Sequence, residues 1–308
     1  MKTKTIFNMK RLARKMSQIF KGKDNGPLEV EANKARNRIK NDEIGLKLLY
    51  DGEQAIVDII AVHGLNGHRE KSWTALNGVA WLQSILPKDL PNSRIFTWGY
   101  ETPASDVAFD VPVFQTVSEK LVQDLNDMRE ATVTVSRPII FIAHSQGGTI
   151  VKSAILYSEQ GKNGENGAST DLHDIAKSTH GNIFMGTPEL DSRLSGLKSY
   201  ISLIENSNQN QNQEFKEAQW ILYILEKYSS ISDRFKNYFA YERSPSKTSN
   251  QETQMASFQR LSPHIIIDRT HEEMVKYKSS TDDAYVKVKD VLLDMSSNIE
   301  GRQYKLNN

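Results

Sequence analysis

The stretch from Arg137 to Val151, RPIIFIAHSQGGTIV, limits what this chain can fold into more than any other. Four consecutive apolar residues follow Pro138, and Ile139 to Ile142 read as a strand buried on both faces. Ala143, His144, Ser145, Gln146 and Gly147 come next, and a helix-forming run begins at once. A chain passing directly from a buried strand into a helix must turn sharply, and small residues around the turn leave room for it. A serine at the apex of such a turn stands with its hydroxyl exposed above the end of a sheet, where a nucleophile is needed. Ala143 occupies a position where glycine is usual, and a methyl group is the smallest side chain that can replace it.

The chain has 308 residues, enough for one large α/β domain with extensions or for two small ones. Its 39 basic and 38 acidic residues nearly cancel, so nothing global attracts nucleic acid, and no nucleic-acid partner is expected. With no cysteine, disulfides, thiolate nucleophiles and Cys-ligated zinc are excluded, which fits an intracellular setting. No apolar run reaches the length of a transmembrane helix.

Residues 1–23 carry eight Lys and Arg and no acid, with Met9, Leu12, Met16, Ile19 and Phe20 on one helical stripe. That pattern suits a targeting helix or peripheral contact with an anionic membrane, and equally a solvated tail. Residues 1–43 are therefore set apart as a basic amphipathic segment and linker. Ile44–Tyr50 and Ile56–Val62 read as strands, and Asp51-Gly52-Glu53 between them signals a hairpin. Val62 runs into His63-Gly64-Leu65-Asn66-Gly67, a glycine-containing loop at a strand end. A loose likeness to a phosphate loop starts at Gly64, but Glu70 stands where the second glycine is needed and would repel phosphate.

Trp73–Leu86 has the apolar face of a crossover helix ending at Pro87. Ser93–Tyr100 reads as a strand, Val113–Met128 as a helix, and Gly181–Pro188 as the strand and exit loop beyond the serine. Helices are expected near 194–205 and 214–230, within an insertion at 188–233 that would cap the site. Ile201, Trp220, Tyr223 and Leu225 could line a pocket there or simply pack. Arg234–Tyr241, ending at Glu242, and Pro263–Asp268 read as the last strands, Asp283–Met295 as the last helix, and 296–308 as a flexible tail. Alternating strands and helices predict a mostly parallel, doubly wound sheet over residues 44–295.

A serine hydroxyl is a weak nucleophile near neutral pH and needs a base in reach and an acid to orient that base. In α/β-hydrolases these follow in the order Ser, acid, His, each just past a strand. Ser145, Glu242 and His271 satisfy that order, and of the seven histidines His271 alone follows the last predicted strand. Asp191, past the preceding strand, is a second position for the acid. His144 is too close in sequence to turn back on its neighbour's hydroxyl. The amides of Leu65 and Gln146 are the candidates for an oxyanion hole. No cofactor is expected, and His271-Glu272-Glu273-Met274-Val275 lacks the second histidine of a zinc-protease helix.

In order along the chain, VHGLNG at 62–67, TWGY at 97–100, IAHSQGG at 142–148, IFMGTP at 183–188 and THEEM at 270–274 resemble one known family. It is the lipase-like serine-esterase family that includes the serine active site-containing proteins and their fungal relatives. The resemblance covers roughly residues 44–295 and implies an α/β-hydrolase fold, a Ser-acid-His triad, and hydrolysis or transfer of an acyl ester. It also implies an ester or lipid-like substrate, and lipid metabolism at mitochondrial or endoplasmic-reticulum membranes. Acyltransferase or thioesterase chemistry would use the same residues, and a hydrolase-like domain can also serve as a binding or regulatory module. Three departures stand out: Ala143 for glycine, Gln146 for a leucine or methionine, and Glu189-Leu190 for His-Arg, which alters the site mouth.

Overall fold

In the computed structural model, residues 43–101, 111–160, 173–187, 213–243 and 263–306 are described. Seven strands form one sheet: β1 (Gly45–Asp51), β2 (Val57–Val62), β3 (Ser93–Gly99), β4 (Ile139–His144), β5 (Thr179–Met185), β6 (Lys236–Glu242) and β7 (His264–Ile267). They lie in the order β1-β3-β2-β4-β5-β6-β7, with β1 antiparallel to β3 and every other pair parallel. This is the α/β-hydrolase arrangement.

The central strands β2, β3 and β4 are buried along their whole length, which is why β4 runs apolar up to His144 and β2 runs apolar apart from Asp58. Strand periodicity still divides them between two cores. Ile60, Val62, Phe141 and Ala143 face one cluster, together with Phe114, Leu121, Ile150 and Trp220. Ile59, Ala61, Ile140 and Ile142 face the other, together with Trp81, Met274, Tyr285 and Leu292. Ala143 is fully buried in the first cluster, so its methyl group fills core space that a glycine would leave open.

Helices α1 (Trp81–Ser84), α2 (Leu86–Asp89), α3 (Val111–Ala131), α4 (Gln146–Gln160), α5 (His173–Ser178), α6 (Gln213–Ser229) and α7 (Asp283–Leu306) cover the two faces. Three expectations need correcting. The Asp51–Glu53 turn makes no hairpin, because β1 pairs with β3 (Gly45 opposite Gly99, Asp51 opposite Arg94) and not with β2. β1 is only partly buried and suits an edge, whereas fully buried β2 needs a parallel neighbour on each side. The expected helix over Trp73–Leu86 is broken into a 3-10 turn at Lys71–Trp73 and the short α1 and α2, with Gly78 at φ +83° between them. The last helix does not stop at Met295. Ser296 and Ile299 are buried, and Ile299 extends the stripe of Leu292 and Met295 by one more turn.

Residues 1–42 lie outside the described residues, as do 188–212, which hold Ile201 and the first helix of the expected cap. The second helix is present as α6. Trp220 and Leu225 pack into the first core, with Trp220 5.7 Å from Phe114, while Tyr223 is 49% exposed. Among the described residues no helix is long and apolar enough to cross a membrane.

Candidate active site

The chain leaves β2 for β3 on one side and reaches β4 on the other, so the carboxyl ends of β2 and β4 border the crevice where α/β sheets bind ligands. Ser145 follows β4 directly and adopts φ +53°, a left-handed conformation that costs a non-glycine residue about 1–3 kcal/mol. Several bonds hold it there. Its amide donates to the Met185 carbonyl at 2.8 Å, and its carbonyl accepts from Thr187 Oγ1 at 3.0 Å and from the Gly148 amide at 3.1 Å. Gly147 is required by close approach, since a Cβ there would sit 2.4 Å from the His63 carbonyl oxygen. The strand end and the helix start are thus pressed together, with α4 opening at Gln146 beside Ser145.

The loop after β2 lies against the serine, because a Cβ on Gly64 would come within 2.8 Å of Ser145 Cβ. His63 organises this loop. Its Nδ1–H donates to the Gly64 carbonyl at 2.8 Å, and its ring stacks on Tyr100 with centroids 4.5 Å apart and planes 4° from parallel. The Tyr100 hydroxyl closes the arrangement by donating to the His63 carbonyl at 3.1 Å. Burial lowers the His63 pKa to about 4, partly opposed by the Gly64 bond, so the ring is neutral near pH 7. Leu65, next in the loop, packs its side chain against the first core, and Gln146 is buried.

His271 stands four residues beyond β7, and Glu242 is the last residue of β6. His271 Nδ1 faces Glu242 Oε2 at 3.3 Å, which leaves Nε2 for another partner. Gly186 joins the two halves of the site. It has φ +60°, its amide donates to the Ala240 carbonyl at 2.8 Å, and a Cβ on it would lie 2.7 Å from His271 Cε1. The residue before it, Met185, accepts the Ser145 amide. One two-residue step at the end of β5 therefore touches both Ser145 and His271. Asp268 is turned away into an exposed ion pair with Arg243, which holds its carboxyl below the usual range. Asp191 lies outside the described residues.

Sequence reasoning missed two residues here. His144 cannot serve its neighbour's hydroxyl; instead its Nε2–H donates to the His271 carbonyl at 2.8 Å. His63 was read only as part of a loop. In both cases the signal was available, because a histidine at the end of a strand buried on both faces must itself be buried and so must find partners. Among the described residues, no group of three or more His, Asp or Glu side chains is spaced to hold a metal ion. A groove of about 520 Å³ lies between β1, β3 and α3, lined by Leu46, Leu48, Asp124 and Met128, and includes none of these residues.

Residues 56–193 match the sequence family described as "Putative serine esterase (DUF676)". Protein SERAC1 of Danio rerio is 31% identical over 150 residues, covering 42% of this chain and 21% of the relative. Protein SERAC1 of Mus musculus is 30% identical over 155 residues, covering 45% and 22%. This chain thus spans about a fifth of the length of those relatives. A lipase-esterase related protein from Clostridium acetobutylicum is similar in structure at 12% identity and a TM-score of 0.39, over 81% of this chain and 99% of that one. The serine at the elbow of this mostly parallel sheet thus lies inside the stretch, from β2 onward, that is similar to the putative serine esterase family.

Proposed function

We propose that this chain hydrolyses carboxylic esters, with Ser145 as nucleophile, His271 as base and Glu242 as the acid that orients it. One observation supports this reading above the others. Ser145 is held in a strained left-handed turn through Met185, and the adjoining Gly186 packs against a histidine that already faces a carboxylate. Ser145 Oγ attacks the acyl carbon while its proton passes to His271 Nε2, and Glu242 stabilises the imidazolium through Nδ1–H. The amides of Leu65 and Gln146 receive the negative charge that develops on the carbonyl oxygen, aided by the N-terminus of α4. His271 then gives its proton to the departing alkoxide. Water, deprotonated by the same ring, cleaves the acyl-enzyme and releases the acid.

The substrate fitting this proposal is an ester with a lipid-like acyl chain, met at a membrane surface by the basic amphipathic stretch within residues 1–23. The first test is labelling with a fluorophosphonate probe. Wild type reacts, Ser145→Ala does not, and Glu242→Gln reacts on the order of 10²–10⁴-fold more slowly. Equal labelling of wild type and Ser145→Ala would sink the assignment.

A further inference from the structure

In the reading above, which this inference rests on, the base sits on an exposed loop with its side chain 41% accessible. A general base must be held within about 0.5 Å of its productive position. The far half of its loop is well anchored. Trp81 Nε1 donates to the Val275 carbonyl at 2.9 Å, the Tyr277 hydroxyl to the Met274 carbonyl at 2.9 Å, and Arg269 Nη1 to the Lys276 carbonyl at 2.5 Å. None of these bonds reaches His271. Against His271 itself lie Glu242, Gly186 and His144.

Of these, His144 is the one continuous with the nucleophile. It ends β4, and strand alternation puts it on the face of Ile140 and Ile142, the face covered by Met274 and Val275. Its ring is 8% exposed, lies 4.7 Å from the His271 ring, and donates from Nε2 to the His271 carbonyl at 2.8 Å. We infer that His144 is a positioning residue, fixing the base loop to the strand end that carries the nucleophile. The bond runs from the residue before Ser145 to the backbone of the base. The separation between serine and histidine is therefore set through the end of β4 as well as through the Met185–Gly186 step, instead of by two loops independently.

The chemistry of His144 suits this role. Burial lowers its pKa to about 4, reinforced by His271 and more weakly by His63, and opposed by the bond to the His271 backbone and by Glu242. The ring is thus a neutral donor near pH 7. A lysine or arginine would supply the same hydrogen bond, but would also set a positive charge beside the imidazolium that forms during turnover.

The test uses the full chain and compares wild type, His144→Gln, His144→Phe, His144→Asn and Ile140→Val. Gln carries an amide nitrogen out to where the imidazole Nε2 donates. Phe keeps the ring but has no donor, and the Asn amide stops short of the carbonyl. Ile140→Val loosens β4 through packing alone. We expect kcat on a p-nitrophenyl ester to fall on the order of tenfold to a hundredfold in Phe and Asn. KM should stay within about twofold, Gln should recover most of the loss, and Ile140→Val should keep the wild-type kcat. If the Phe variant does not fold, the contrast between Gln and Asn carries the test. An active wild type with unimpaired Phe and Asn variants, or with Gln as impaired as Asn, overturns the role of His144 alone. A wild type that neither turns over ester nor reacts with a fluorophosphonate overturns both this inference and the triad reading.

Discussion

The same strands carry polar side chains at both ends, and the two ends are built on opposite principles. Near the start of β2, Asp58 is fully buried and faces three arginines. Arg94 binds it through two parallel bonds of 2.8 and 2.9 Å, Arg129 at 3.0 Å and Arg137 at 3.3 Å. The guanidinium groups are occupied further by Thr132, Thr134 and the Arg137 carbonyl. At the other end of β2 and β4 stand His63 and His144, both buried and both neutral near pH 7. The charged end is a dense network of mutual bonds, with Arg129 Nε buried but without a hydrogen-bond partner, and its gain lies in fixing geometry. At the neutral end each ring donates to one backbone carbonyl, the His63 ring also accepts from the Tyr100 amide, and no formal charge is buried beside Ser145. In the proposed reaction, formal charge buried beside the serine would compete with the transient charges of acyl transfer.

Asp58→Ala should be the most damaging change to stability, by roughly 3–5 kcal/mol, because it leaves three guanidinium groups without their buried partner. Chemical denaturation should report that loss, while activity per folded molecule stays at the wild-type level. A marked fall in specific activity would show that the two ends are not independent.

Acid should act on the neutral end next. His63 and His144 have folded pKa values near 4 against about 6.5 when unfolded. Between those values the unfolded chain binds more protons than the folded one, so stability rises with pH. It is therefore complete above pH 6.5 and is lost as pH falls toward 4, by on the order of 3 kcal/mol for each ring. Melting temperatures taken across that window should show the slope, and His144→Gln should flatten it. An unchanged slope in that variant would mean the ring is not what titrates.

The smallest effect belongs to Ala143→Gly, which restores the residue usual before such a serine. It should cost about 1 kcal/mol, from the lost methyl contact and the freer unfolded backbone. Esterase activity should not change; an increase would mean that Ala143 restrains the turn.

The sheet and the serine were legible because both are local in sequence. An apolar run of four residues marks a doubly covered strand, and a small-residue turn marks the elbow. The edge strand β1 was also legible as a strand, but its partner was not, since Asp51-Gly52-Glu53 favours a hairpin and only sheet order decides against it. Glu242 and His271 could be chosen by their position after strands, yet their 3.3 Å approach depends on register between β6 and β7, which no local pattern encodes. His144 was discounted for the wrong relationship. Its neighbour in sequence is Ser145, but its partner lies 127 residues further on.

The arginine-rich end has one more consequence, for the order of assembly. Asp58, Arg94, Arg129 and Arg137 come from four separate stretches spanning eighty positions of the chain. A nascent chain that has reached only Gly99 holds the carboxylate and one guanidinium, and cannot close the cluster. Collapsing early would strand charge in a dry interior, so premature compaction of β2 and β3 is penalised until α3 and the start of β4 have been synthesised. The elbow serine follows immediately behind. Ser145 thus enters the chain only after every partner in the cluster has been synthesised, while β5, β6 and β7 are still to come.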